Sequence, residues 1–180
     1  MTTKPVKIAL IGHMRSGKDT VAYMIAEELA PSATNIVGLA DQLKWMAELP
    51  GYPLQRELYQ NLGAAVRKAY PEFWIDTLLA RCKGLDGNIV VKDVRYQNEA
   101  DSLKLAGYQL VAVYCPPSTL FQRSGLTVGE FNRAMAHESE SGIETVVASV
   151  FCPQIINGPE VTLDNLRVKV KNLLRSWEVR

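Results

Sequence analysis

Cysteine is scarce in this chain. Three occur in 180 residues, Cys82, Cys115 and Cys152, and no two form a CxxC pair. That spacing excludes a disulfide framework and a cysteine zinc site. Cys115 lies in an apolar run and reads as a small core residue. Long apolar runs are missing too: nothing approaches the roughly 18 residues of a membrane span. The opening Met1-Thr2-Thr3-Lys4-Pro5 runs straight into a strand-like segment. It lacks the apolar stretch of about 7–15 residues found in a secretory signal, so a reducing cytoplasm is the expected compartment. An excess of one charge is also absent, with 20 Lys and Arg against 19 Asp and Glu. Neither a nucleic-acid polymer nor a membrane is therefore an expected partner.

What remains is an ordinary globular composition, 47% apolar and 22% charged, in a length that suits one domain. Five short apolar runs read as strands: Val6–Ile11, Asn35–Leu39, Asn88–Val91, Leu110–Cys115 and Gln154–Asn157. The first, third and fourth are nearly continuous in aliphatic residues, as in strands covered on both faces. Helical spacing fills the intervals, at Thr20–Leu29, Asp41–Leu49, Arg56–Ala69, Pro71–Lys83, Glu99–Ala106 and Leu163–Trp177. Strand alternating with helix predicts an α/β fold, a parallel sheet of five strands flanked by helices in three layers. Turn signals at Pro50–Pro53, Asp86-Gly87 and Pro116-Pro117 punctuate it. The span from Ser118 to Ser149 is polar, carries three glycines and reads as irregular. An excursion of that length suggests a mobile flap, with a surface helix pair as the alternative.

The first strand leads directly into Gly12-His13-Met14-Arg15-Ser16-Gly17-Lys18, and helical periodicity begins after Lys18. Strand, Gly-x-x-x-x-Gly-Lys and helix together are the context that identifies a phosphate-binding loop. Gly12 and Gly17 let the backbone curl with its N–H groups inward, and the following helix adds its positive end. Lys18 is placed for the β- and γ-phosphates, and Arg15 and Ser16 add donors. After Lys18 the general pattern has Ser or Thr as a Mg²⁺ ligand, whereas here Asp19 precedes Thr20. Asp19 suits Mg²⁺, directly or through water, and equally suits a helix N-terminus.

A second constellation follows the third strand: Asp93-Val94-Arg95-Tyr96-Gln97-Asn98-Glu99. Ligands of open parallel sheets bind at the carboxyl ends of strands. Asp93 there is a second candidate partner of Mg²⁺ and Arg95 a phosphate clamp, with an Asp–Arg ion pair and a helix cap as the plain alternative. Asp41 and Lys44 follow the second strand as acceptor-side candidates, though Asp41 also suits an N-cap. Arg56, Gln60, Gly63 and Arg67 share one helical face, which lines a cleft or meets solvent. By spacing alone Phe73 and Trp74 read as core. Arg123, Arg133 and His137-Glu138-Ser139-Glu140 belong to the flap, and arginines on a closing lid neutralise a transferring phosphoryl group.

Together these segments resemble the deoxynucleoside monophosphate kinases of bacteriophages and their bacterial relatives. The resemblance rests on Arg15–Thr20 with its Asp after Lys, on Leu39–Lys44, and on Tyr59–Gly63 with Arg67 and Trp74. It continues through Asp93–Ala100, His137–Glu140 and Ile156-Asn157-Gly158. Gln42 departs from the family's usual Pro. The matches run from about Ile8 to Leu166 in order. They imply an adenylate-kinase-like P-loop domain over residues 1–180, with a monophosphate-binding region near 41–83 and a short lid near 117–149. They also imply ATP and Mg²⁺, with Asp19 and Asp93 toward the metal, and a nucleoside monophosphate as the small-molecule partner. Lys18, Arg95, Arg123 and Arg133 would be catalytic. Gly12, Arg15, Ser16, Gly17, Lys18, Asp19 and Thr20 would hold the triphosphate. Asp41, Lys44, Arg67, Trp74, Asp93, Arg95, Glu99, His137 and Glu140 would face the acceptor. A homodimer through helices near 57–67 is a further expectation. Phosphomevalonate or dephospho-coenzyme A as acceptor stays open, as does a nucleotide-binding switch or assembly role.

Overall fold

The computed structural model describes residues 4–47 and 56–178. The expected turn at 50–53 and the helix end at Leu49 lie outside them. Five strands form one sheet: β1 (Lys7–Ile11), β2 (Thr34–Val37), β3 (Asn88–Val94), β4 (Gln109–Tyr114) and β5 (Gln154–Ile156). Their order is β2-β3-β1-β4-β5 and every pairing is parallel. The helices are α1 (Lys18–Glu28), α2 (Asp41–Ala47), α3 (Arg56–Ala69), α4 (Phe73–Cys82) and α5 (Gln97–Leu105). They continue as α6 (Pro117–Ser124), α7 (Val128–Ala136), α8 (Glu138–Ser141), α9 (Ile143–Val150) and α10 (Leu163–Glu178).

Alternation along β1 produces the three layers. Ile8 and Leu10 point to one face, Ala9 and Ile11 to the other, and all four are fully buried. The first face packs on α1 and α10 through Val21, Ile25, Leu166, Val170 and Leu174. The second packs on α4, α5 and α9 through Trp74, Leu78, Leu103, Ile143 and Val146. Burying each such aliphatic side chain contributes about 1.5–3 kcal/mol.

Two boundaries matter for the site. β3 runs to Val94 rather than stopping at Val91. Its register against β1 shifts between Ala9 and Ile11, so that Val94 pairs with Ile11 and buries its side chain. Asp93 therefore sits on the strand itself. The span 118–149 is helical, not irregular. Leu120 and Phe131 pack with Met14 and Cys115 in a small cluster of their own. Ile143, Val146 and Val150 join the main core, which makes α9 part of the body. A reciprocal cap starts α7: Thr127 N–H donates to Glu130 Oε2 (2.9 Å) and Glu130 N–H to Thr127 Oγ1 (3.4 Å). Apolar residues spaced among polar ones gave these amphipathic helices a loop-like composition. Among the described residues no helix is long and apolar enough to cross a membrane.

Candidate active site

The loop between β1 and α1 is shaped by close backbone approach. A Cβ on Gly12 would stand 2.5 Å from Val113 O and 3.0 Å from Ser16 Oγ. Gly17 has φ 97°, left-handed backbone that favours glycine, and Arg15 is left-handed as well at φ 61°. Successive residues of this kind turn their N–H groups to one side and make an anion-binding concavity. Lys18 is buried and its Nζ donates to His13 O at 2.6 Å. Burial, and next the Arg95 guanidinium, lower the Lys18 pKa to about 7. Ser16 Oγ is fully buried and, among the described residues, is the buried side-chain polar atom without a hydrogen-bond partner. Such an orphan on a loop of this shape fits a site that expects a ligand. Beside the loop lies a cavity of about 430 Å³, lined among others by Arg15, Lys18, Asp19, Thr20, Arg123 and Asn157. We call it the loop cavity.

A second cavity, of about 200 Å³, opens at the carboxyl end of β3. Leu39, Leu43 and Trp74 form an apolar wall, and Arg67 and Arg95 bring two guanidinium groups. Each arginine is braced by a buried carboxylate. Arg67 Nη2 donates to Glu99 Oε1 at 3.1 Å, and its guanidinium lies 4.0 Å above the Tyr96 ring. Glu99 also accepts from Arg95 N–H (2.9 Å) and Tyr96 N–H (3.1 Å), closing the start of α5. Burial pushes the Glu99 pKa up, against the pull of Arg67. Burial likewise pushes Tyr96 to about 12, and its hydroxyl donates to Glu138 Oε1 at 3.0 Å.

Glu140 joins the two regions. It is 1% exposed, accepts from Met14 N–H at 3.0 Å, lies 3.3 Å from His13 Nδ1, and is ion-paired with Arg95. Burial works to raise its pKa. The His13 contact, Arg95 and the Met14 N–H outweigh burial and hold it at about 2. A carboxylate of α8 thus ties the phosphate-loop backbone to the arginine at the end of β3.

Known proteins bear on the family and the fold of this chain. A model of the AAA domain family matches residues 8–127, which carry both the loop and the β3 signature. The chain belongs to the AAA domain family. Solved structures share the fold of small P-loop kinases. Shikimate kinase from Aquifex aeolicus vf5 is 16% identical with a TM-score of 0.59, covering 96% of both chains. Shikimate kinase from Acinetobacter baumannii in complex with shikimate is 13% identical with a TM-score of 0.61, covering 98% of this chain and 94% of that one. A gluconokinase from Sinorhizobium meliloti 1021 is 17% identical with a TM-score of 0.56, covering 97% of both. At such identities the likeness establishes the fold. No curated protein matches significantly.

Within this family member the expected residues divide. Gly12 and Ser16 build the loop, while Arg15, Gly17, Lys18, Asp19 and Thr20 line its cavity. Arg67, Trp74, Asp93, Arg95, His137 and Glu140 line the arginine cavity. Trp74 is both core and wall: it is 4% exposed and its Nε1–H donates to Gly63 O at 3.2 Å. Glu99 acts behind Arg67 rather than at the wall. Asp93 accepts from Leu39 N–H (2.7 Å) and Ala40 N–H (3.2 Å), bracing the turn after β2. Asp41 closes the same turn, accepting from Gly38 N–H (2.7 Å) and Arg81 (3.2 Å), and among the described residues Lys44 pairs with Asp41, at 3.9 Å. Arg123 belongs to the loop cavity. Arg133 is exposed on α7 and lines neither cavity, because Phe131 takes the inward face of that helix. His137 caps α8, its Nδ1 accepting from Ser139 N–H at 3.2 Å.

His13, Tyr96 and Asn157 join the expected residues at the site: His13 faces Glu140, Tyr96 lines the arginine cavity, and Asn157 lines the loop cavity. Each carried a signal: His13 lies within the loop motif, Tyr96 within the signature after β3, and Asn157 is a polar residue directly after an apolar strand at the sheet's carboxyl edge.

Magnesium has a modest set of donors here. Among the described residues no cluster of three or more His, Cys, Asp or Glu could hold a metal. Mg²⁺ is usually bound by one or two carboxylates plus phosphate and water, and Asp19 and Asp93 both lie close enough to Lys18 for their charges to act on it. Asp19 is 73% exposed, stands in the first turn of α1, where its charge also suits the helix N-terminus, and faces Lys92 at 3.4 Å. Asp93 already holds two backbone donors, so it suits a water-mediated contact.

Proposed function

We infer that this chain transfers the γ-phosphoryl group of ATP to a small anionic phosphate, a deoxynucleoside monophosphate, giving ADP and the deoxynucleoside diphosphate. The observation that carries this reading is the pair of cavities joined through Glu140. One is built from loop backbone and Lys18, and the other is built from two braced arginines over an apolar wall. A binding switch has no use for the second. Two guanidinium groups suit a phosphate gripped edge-on, and the wall of Leu39, Leu43 and Trp74 suits a flat ring.

In the reaction an oxygen of the acceptor phosphate forms a bond to the γ-phosphorus. The bond from that phosphorus to the β–γ bridging oxygen breaks, and ADP leaves with the electron pair. The attacking oxygen is already anionic, so no strong base is required. Positioning and charge neutralisation carry the catalysis. The loop N–H groups and Lys18 hold the β- and γ-phosphates. Arg67 and Arg95 fix the acceptor, each aimed by its carboxylate. Arg123 and Arg15 flank the triphosphate side. Asp19 would hold Mg²⁺, with Asp93 behind it through water, and the ion would supply charge neutralisation at the phosphate oxygens.

A panel of acceptors in an ATP-consumption assay tests the reading. At least one deoxynucleoside monophosphate should accelerate ATP turnover with saturation, and inertness of all of them would sink it. A small hydroxy acid is the second reading, since the two arginines would grip a carboxylate as well. The fold neighbours described as shikimate kinase and gluconokinase place shikimate and gluconate in the same panel.

A further inference from the structure

Asn157 follows β5 and is 6% exposed. Its main-chain N–H donates to Tyr114 O at 2.8 Å, which seats it beside the end of β4. Its side-chain Nδ2–H donates to Ser16 O at 2.8 Å, across 141 positions of sequence. The same nitrogen lies so close to Gly17 that a Cβ there would collide with it. On the other side Arg123 donates to Asn157 O (3.3 Å) and to its Oδ1 (3.5 Å). A carbonyl on one side and a guanidinium on the other fix which amide atom is nitrogen and which is oxygen.

A trans peptide is planar, with its C=O and N–H directed opposite ways. A donor that draws Ser16 C=O toward β5 therefore turns Gly17 N–H away from β5. Glycine is where such a peptide rotates most cheaply, because both signs of φ are open to it. The loop sequence alone leaves that peptide free to flip.

The geometry points to Asn157 as a positioning residue: it locks the Ser16–Gly17 peptide so that Gly17 N–H faces the triphosphate, and it holds Arg123 at the same cavity. The inference rests on the nucleotide side of the reading above and is independent of the acceptor. It assigns Asn157 no contact with the reacting atoms.

The test is calorimetric titration of the full chain with Mg-ATP, paired with the amide resonance of Gly17. In the wild type that resonance should move on ATP addition. Asn157→Leu, close in volume and neutral, should weaken ATP binding about tenfold or more and abolish the Gly17 shift. Arg123→Ala should cost about threefold and keep the shift. In turnover the KM for ATP should rise while the acceptor KM stays within about twofold. ATP affinity within about twofold of wild type in Asn157→Leu would overturn the proposal, as would an intact Gly17 shift or a loss no larger than that of Arg123→Ala. If Asn157→Leu does not fold, Asn157→Asp keeps the shape and the acceptor facing Arg123 but removes the donor to Ser16. The Gly17 shift, expected to vanish, then decides. A wild-type chain that binds no ATP removes the nucleotide reading and this proposal together. ATP binding without acceptor turnover leaves the test in force.

Discussion

The loop cavity and the arginine cavity share one sheet edge but are made of different material. The loop is consecutive backbone, Gly12 to Lys18, with its donors supplied by peptide groups. The arginine cavity is made of side chains from separate elements: Leu43 from α2, Arg67 from α3, Trp74 from α4, and Arg95 after β3. Peptide N–H groups recognise phosphate in general and tell little of what it is attached to. In the proposed reaction, guanidinium groups braced by buried carboxylates would fix the acceptor's direction, and the apolar wall beside them would select its body. A phosphate-binding loop is thus encoded by a short local stretch, whereas a cavity of braced side chains needs partners supplied from a distance.

The largest expected effect breaks the loop side alone. Lys18→Ala should lower kcat/KM by about 10²–10³-fold, the scale of losing a preorganised charge donor. Because burial disfavours its ammonium, the same change should leave the melting temperature level or raised. A large loss of Tm would contradict that burial cost.

Next come changes confined to the arginine side. Arg67→Met or Arg95→Met should raise the acceptor KM by about 10–100-fold, the range for a charge-assisted pair. The KM for ATP should stay nearly constant in Arg67→Met. Equal rises in both would erase the distinction between the cavities.

Glu140 stands at the junction of the two cavities, between the Met14 N–H and Arg95. Its pKa of about 2 lies below the ordinary carboxylate value. The stability it contributes is therefore full above the unfolded pKa of about 4.3 and is lost as pH falls toward 2. Glu140→Gln should cost about 3 kcal/mol at pH 7 in urea unfolding, since it leaves Arg95 facing a neutral amide. It should also flatten the acid limb of the stability curve. An unchanged acid limb would mean that Glu140 is not the group responsible.

A smaller effect reports on the loop. Lys18, with a pKa near 7 in the ligand-free chain, should regain its proton when phosphates arrive. ATP binding at pH 8 should take up protons, visible as a binding enthalpy that depends on the buffer's ionisation heat. Lys18→Met should abolish that dependence. The smallest is Arg133→Ala, which should alter kcat and both KM values by less than about twofold, as expected for an exposed side chain away from either cavity.

How much was legible follows the same division. The loop could be read because strand, glycines, lysine and helix are contiguous and each has its own backbone reason. Arg95 and Glu99 could be read because both lie in one short signature. Arg133 and Arg123 looked alike in the sequence, and only helix packing sent one to solvent and the other to the loop. The span 118–149 was legible only as a flap or a surface helix pair, because the burial of α6 and α7 depends on Met14 and Cys115 beneath them, and that of α9 on the main core.

The alternation of strand and helix, the phosphate loop, and the nearness of Asp93 and Arg95 to the carboxyl end of the third strand are written locally in the chain. Periodicity and local backbone chemistry suffice for those. It takes the folded arrangement to bring Glu140 to the Met14 N–H 126 positions away, to set Glu99 against Arg67, and to place Asn157 on the Ser16 carbonyl. Those partners meet because the parallel sheet brings the carboxyl ends of β1, β3, β4 and β5 to one edge, and pairings at such separations leave no periodic trace in the chain.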